Sequence, residues 1–137
     1  MDTDLLDVDT SRRRIVDLTD AVRSFCGQRR SGARSGLCNV FVPHATAGVA
    51  LIETGSGSDD DLLDTLERLL PRDDRYRHAH GSPGHGADHV LPALISPSVT
   101  VPVRDGEPLL GTWQSVVLVD LNRDNPRRSV RLSFLDA

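Results

Sequence analysis

Leu62, Leu63, Leu66, Leu69 and Leu70 recur at steps of three and four, one apolar stripe on a helix. Pro71 cannot continue the hydrogen-bond ladder and stops it. Ser58 stands where an N-cap is needed, with Asp61 three residues on as a short capping box. A second stripe, Ala21, Val22, Phe25 and Cys26, predicts a shorter helix over residues 20–28, with Thr19 as its N-cap. Elsewhere the period falls to two. Residues 37–42 form a β-type run ended by Pro43, and residues 47–52 form the next. Only residues 44–46 separate them, so they read as a tight hairpin or one bent strand. Val99, Val101 and Val103 alternate around Pro97 and Pro102, as in an edge or bulged strand. Asp105-Gly106 is a hairpin turn. Residues 109–110, 113–121 and 129–135 read as further strands, with a turn at 122–126. Residues 28–36 and 72–90 read as polar loops.

Two helices early and antiparallel hairpins late make an α+β domain. Its sheet is mainly antiparallel and β-sandwich-like, with the two main helices packed on it. A chain of 137 residues makes one domain, 1–137. Residues 1–10 are read as disordered or as an edge strand.

Net charge narrows the functions. With 16 basic and 20 acidic residues the chain carries −4, which gives no basic footprint for nucleic acid. The arginines cluster locally at 12–14, 29–30 and 127–128 and read as solvated faces. No run of 18 apolar residues is present, so no membrane span is expected. The acidic N-terminus lacks a secretory pattern. Cys26 and Cys38 fit no CxxC pair and read as small buried apolar residues. The expected location is therefore the cytoplasm.

Chemistry concentrates in two stretches. Phe41-Val42-Pro43-His44-Ala45-Thr46 delivers His44 at the end of one apolar run, and the next run ends on Glu53. That arrangement could aim a base and an acid at one place; the alternative is a turn histidine and a solvated strand end. The loop from Tyr76 to His89 holds His78, His80, His85 and His89. Imidazole is the commonest transition-metal ligand. His78-x-His80 could chelate from a strand, and His85 and His89 from a helical turn. With no cysteine near, such a site would be open and catalytic rather than closed and structural. The alternative is a surface loop rich in histidine. Gly111-Thr112-Trp113-Gln114 holds the lone Trp, which reads as core. Thr112 and Gln114 would then face the other way if the segment is extended.

Taken in order, several segments resemble the YjbQ-type proteins, also described as the secondary thiamine-phosphate synthase family. They are Pro43-His44-Ala45-Thr46-Ala47, Glu53, the leucine helix ending at Pro71, Tyr76-Arg77-His78, Asp88-His89, residues 96–103 and Leu110-Gly111-Thr112-Trp113-Gln114. The likeness runs from about Thr10 to Leu135. It implies a β-sandwich-like subunit in a homotrimer, with the site near subunit boundaries. It also implies a catalytic set of His44, Thr46, Glu53, Asp59, His78 and His89. The implied metal ligands are His44, His78 and His89 on zinc or magnesium, and the implied substrate-binding positions are Gly111, Thr112 and Gln114. The implied activity is weak thiamine phosphate synthesis from a pyrimidine diphosphate and a thiazole phosphate. The alternative is a homotrimer that binds a metal or a phosphorylated ligand without turnover. The chain departs from the family pattern at Ala45 and at residues 54–58, which leave Asp59 or Asp61 as the nearest carboxylates. It departs again at His80 and His85, where the family has acidic residues.

Overall fold

The computed structural model describes residues 1–28 and 34–137. Most of the polar loop expected at 28–36, including Arg29 and Arg30, lies outside them. The elements run β1 Asp2–Asp9, β2 Ile15–Asp17, α1 Thr19–Gly27, β3 Gly36–Phe41, β4 Gly48–Ile52, α2 Ser58–Leu69, α3 His85–Leu94, β5 Ser98–Arg104, β6 Glu107–Pro108, β7 Ser115–Val119 and β8 Arg127–Asp136. Five strands form one sheet in the order β1-β8-β3-β5-β6, and three form another in the order β2-β7-β4. The pairings are antiparallel.

Strand β7 explains the layering. Val116, Val117, Leu118 and Val119 are all buried, so this strand is covered on both faces. Val116 and Leu118 join Val40, Val101, Val130, Leu132 and Phe134 in the core between the two sheets, which α1 closes with Val22 and Cys26. Val117 and Val119 face the other way, onto Leu66 and Leu70 of α2 and its end and onto Ala87 and Leu91 of α3. The α+β expectation holds, as three layers: five-stranded sheet, three-stranded sheet, helix pair.

Several details differ from the sequence reading. β3 and β4 form neither a hairpin nor one bent strand: each joins a different sheet, and the short 44–46 link carries the chain between layers. The helices number three among the described residues, because α3 occupies the end of the expected 72–90 loop. Its Gly86 and Pro92 are poor helix formers that hid it; burial of Ala87 and Leu91 against β7 outweighs their cost. Residues 2–9 form an ordered edge strand on β8. The cap of α2 is Gly57, in the left-handed region, and Ser58 is already helical. Leu18 rather than Thr19 caps α1, while the Thr19 hydroxyl accepts from the Val116 N–H. The Asp105-Gly106 turn is as expected, with both φ angles positive, at 52° and 84°.

Candidate functional site

α3 starts at His85, directly after Gly84 in the left-handed region. His85 and His89 lie one turn apart on the same face. Their Nε2 atoms come to 2.9 Å. The segment carrying His78 and His80 lies against the first turn of α3, and Gly86 makes that approach possible. A Cβ there would sit 2.5 Å from the Tyr76 Cβ and 2.7 Å from the His78 carbonyl oxygen. The His78 ring centroid is then 4.0 Å from those of His80 and His89 and 5.3 Å from that of His85. One nitrogen each from His78, His80 and His85 falls within a 4.8 Å group.

Burial favours the neutral form of His78 and His89. Burial pushes His78 below the ordinary histidine range, and the neighbouring His80 and His85 push it further. Burial likewise lowers His89, followed by His78, His85 and His80, with Asp88 opposing. The His78 Nε2 is buried and has no hydrogen-bond partner. Such an atom normally finds one. Asp124 Oδ2 lies 2.8 Å from His85 Nδ1. The Asp124 carboxyl is held below its usual range chiefly by hydrogen bonds from Ser82. A charged carboxylate there favours the ring hydrogen on Nδ1 and turns the Nε2 lone pair toward His89 and the cluster, the usual orientation of a metal-bound histidine. Two nitrogens bound at about 2.0–2.1 Å to one tetrahedral zinc ion stand roughly 3.3 Å apart. His78, His80 and His85, with one nitrogen each inside the 4.8 Å group, could therefore close on a divalent ion, with Asp124 orienting His85.

Behind the histidines is a second polar layer. Asp88 is buried and takes both ends of the Arg72 guanidinium. The Asn122 side chain donates to Asp88 Oδ2 at 3.0 Å and lies 3.0 Å from His85 Nδ1. Its backbone N–H donates to Asp120 Oδ1 at 3.0 Å. Asp120 is paired in turn with buried Arg128, through Nε at 2.7 Å and a terminal nitrogen at 3.0 Å. A cleft of about 300 Å³ opens over the histidines, with Asp73, Asp74 and Tyr76 on its rim.

Of the expected ligands, His78 and His89 meet, and His80 and His85 join them. His44 is not among these rings: its Nε2 accepts the Ser129 N–H at 3.0 Å. Burial, then Arg128, lowers its pKa, with Asp120 opposing. Thr46 is buried and its hydroxyl accepts from Arg128 at 2.8 Å, a packing role. Glu53 follows Ile52, which pairs with Ser115, whereas Gly48 pairs with Val119 at the end of β7 that leads to Asn122. Five steps of extended chain put Glu53 roughly 16 Å from Gly48. Gly111, Thr112 and Gln114 precede Ser115 and share the Glu53 end. Asp59 lies in the first turn of α2. Trp113 is not core: it is 73% exposed. Residues 111–114 turn rather than extend, with the Gln114 N–H on the Gly111 carbonyl and the Gly111 N–H on Gln114 Oε1. Asn122, Asp124 and Arg72 had no part in the sequence reading. The only trace of the first two was a run of turn formers, Asn122-Arg123-Asp124-Asn125-Pro126, which signalled a turn and nothing more.

A three-layer α+β subunit with a histidine cluster at the start of a short helix defines the class. The UPF0047, YjbQ-like family profile matches residues 4–137, and the chain belongs to that family. It is 79% identical to a UPF0047 protein of Mycobacterium tuberculosis over 136 residues, covering 99% of each chain. It is 32% identical to one of Methanocaldococcus jannaschii over 118 residues, covering 85% of this chain and 80% of that one. Among solved structures, a YbjQ-like protein of unknown function from Sulfolobus solfataricus superposes with a TM-score of 0.89 at 26% identity, covering 99% and 97%. A hypothetical protein of Aeropyrum pernix gives 0.87 at 30% identity over the whole of both chains. No helix among the described residues is long and apolar enough to cross a membrane.

Proposed function

We propose that this chain is a metal-dependent enzyme of small phosphorylated substrates, with His78, His80 and His85 as ligands and His89 beside them. The observation that carries this reading is the buried, partnerless Nε2 of His78 among three other imidazoles. Nitrogen donors suit zinc over magnesium, which prefers oxygen. A bound ion would supply Lewis-acid charge for a leaving diphosphate. The protein's own part is to favour the neutral form of His78 and His89, to orient His85 through Asp124 and to shape the cleft.

The reaction to test first is the one the resemblance implies, thiamine phosphate from a pyrimidine diphosphate and a thiazole phosphate. Glu53 and Gln114 lie at the other end of β4 and β7, so they serve the same reaction only across a subunit boundary. The expected homotrimer provides such a boundary. Elemental analysis of the purified protein, with a thiamine phosphate assay and light scattering on the same sample, tests the proposal. Near-stoichiometric metal, lost in His78→Ala together with turnover, supports it. Metal without turnover leaves the non-catalytic binding alternative. Absence of metal from wild type, even after reloading, overturns it.

A further inference from the structure

A second cleft lies on the far side of Asn122. It measures about 380 Å³ and runs between residues 10–14 and 120–126. Arg12, Arg13, Arg14 and Arg123 line it. On sequence, Arg12 to Arg14 read as a solvated face; Arg12 and Arg13 are indeed exposed, and folding also brings the segment to one concavity with Arg123. We propose that this cleft is a binding site for a compact phosphate-bearing anion, of the size of diphosphate or of a small molecule carrying one.

Three observations carry it. The first is an excess of positive charge, offset only in part by Asp9 near Arg12 and by Glu67. Among the described residues Arg12, Arg13 and Arg123 make no ion pair, and Arg14 has only Glu67, at 3.5 Å. The one carboxylate in the wall, Asp120, is saturated by Arg128, the Thr10 hydroxyl and the Asn122 N–H. Four arginines line one cleft in a protein whose net charge is −4. A cleft lined by one sign focuses the field on its contents. The second is a rigid frame. The Thr10 N–H donates to the Pro126 carbonyl and the Asp120 N–H to the Arg14 carbonyl, both at 2.8 Å. The arginine-bearing segment is thus pinned at both ends, and little ordering remains to oppose binding. The third is donor chemistry: guanidinium forks match phosphate oxygens in pairs.

The surroundings select a compact ligand. Asp7 and Asp9 line the neighbouring depression together with Arg127 and Arg128, the latter taken up by Asp120, and Glu67 stands beside Arg14. These carboxylates would repel a nucleic-acid backbone extended past the cleft. Asn122 adjoins both sites, since it lines this cleft and donates to Asp88 behind His85.

The site needs no metal, so its test separates it from the histidine reading. Diphosphate is titrated calorimetrically in EDTA into wild type, His78→Ala and the double variant Arg13→Ala/Arg123→Ala, with melting curves confirming that each is folded. The expected result is equal affinity for wild type and His78→Ala, at least a tenfold loss in the arginine variant, and weakening with added salt. No binding in EDTA, or equal affinity in the arginine variant, overturns the proposal. So does a short single-stranded DNA that binds more tightly than diphosphate. Should the double variant fail to fold, Arg12→Ala/Arg13→Ala replaces it under the same criteria.

Discussion

Two polar groups sit side by side at one end of β7, one buried and one opening to a cleft, and they differ in whether their hydrogen bonds are complete. Asp120 and Arg128 form a two-point ion pair that also takes in Thr10, Thr46 and the Asn122 backbone. Every carboxylate oxygen there has a donor, and nothing is left to bind. The histidine cluster is set less deeply, with His80 exposed, and leaves the His78 Nε2 with no partner. Burial first, and then the neighbouring rings, lower the pKa values of His78 and His89. A completed network holds a fold together. An incomplete one, kept neutral and exposed to a cleft, leaves capacity for a ligand. Asn122 joins the two, with its backbone in the first and its side chain behind the second.

The largest effect expected from breaking this contrast is at the ion pair. Arg128→Ala strands a buried Asp120 charge, a change that typically costs about 3–5 kcal/mol. At this chain length the melting temperature should drop on the order of 10 °C, whether or not metal is present. A melt within two or three degrees of wild type would show that the pair is not what holds this end of the sheet.

Metal removal should act only on the other region. A ligand at a hundred times its dissociation constant stabilises the fold by about 2.7 kcal/mol. EDTA should therefore lower the wild-type melting temperature by several degrees and leave His78→Ala unmoved. Equal shifts in both proteins would place the metal elsewhere.

Acid sharpens the comparison further. His44, His78 and His89 all have lowered pKa values in the fold. Near and below the ordinary value of about 6.5, the unfolded chain binds more protons than the folded one, so stability rises with pH. The contribution is full above the unfolded value and is lost as pH falls through the lower folded values. Apo protein should melt lower at pH 5.5 than at pH 7.5, and His78→Gln or His89→Gln should flatten that dependence. Metal affinity should fall over the same interval, because protons compete for the ligating nitrogens. Metal binding that strengthens in acid would contradict neutral ligation.

The smallest effect belongs to Trp113. At 73% exposure its replacement by alanine should change stability by no more than about 0.5 kcal/mol, measured by urea denaturation. A loss of several kcal/mol would mean that the side chain is covered in the assembled protein.

Much of this was visible before folding was considered. The leucine stripe fixed α2, alternation fixed β3, β5 and β8, and Asp105-Gly106 fixed its turn, because each depends on residues close in sequence. The density of imidazoles between His78 and His89 marked the site for the same reason. Membership of the YjbQ-like family was likewise written in the order of its motifs.

What folding alone decided involves residues far apart in the chain. Whether β3 and β4 pair or part depends on which sheet can bury each, and periodicity is the same in either case. α3 was hidden by Gly86 and Pro92, whose local cost is outweighed only once Leu91 finds β7. Trp113 looked like core by residue type, but the turn at 111–114 holds it outward. His44 and Glu53 bracket one short stretch of sequence, yet a five-residue strand sets their ends apart. Asn122, Asp124 and the four arginines of the second cleft carry no local signal, since their meaning comes from partners brought near by sheet pairing. Local sequence determines period, turns and donor type, because those are short-range energies. Which polar groups end up satisfied and which are left open is a property of the packed whole.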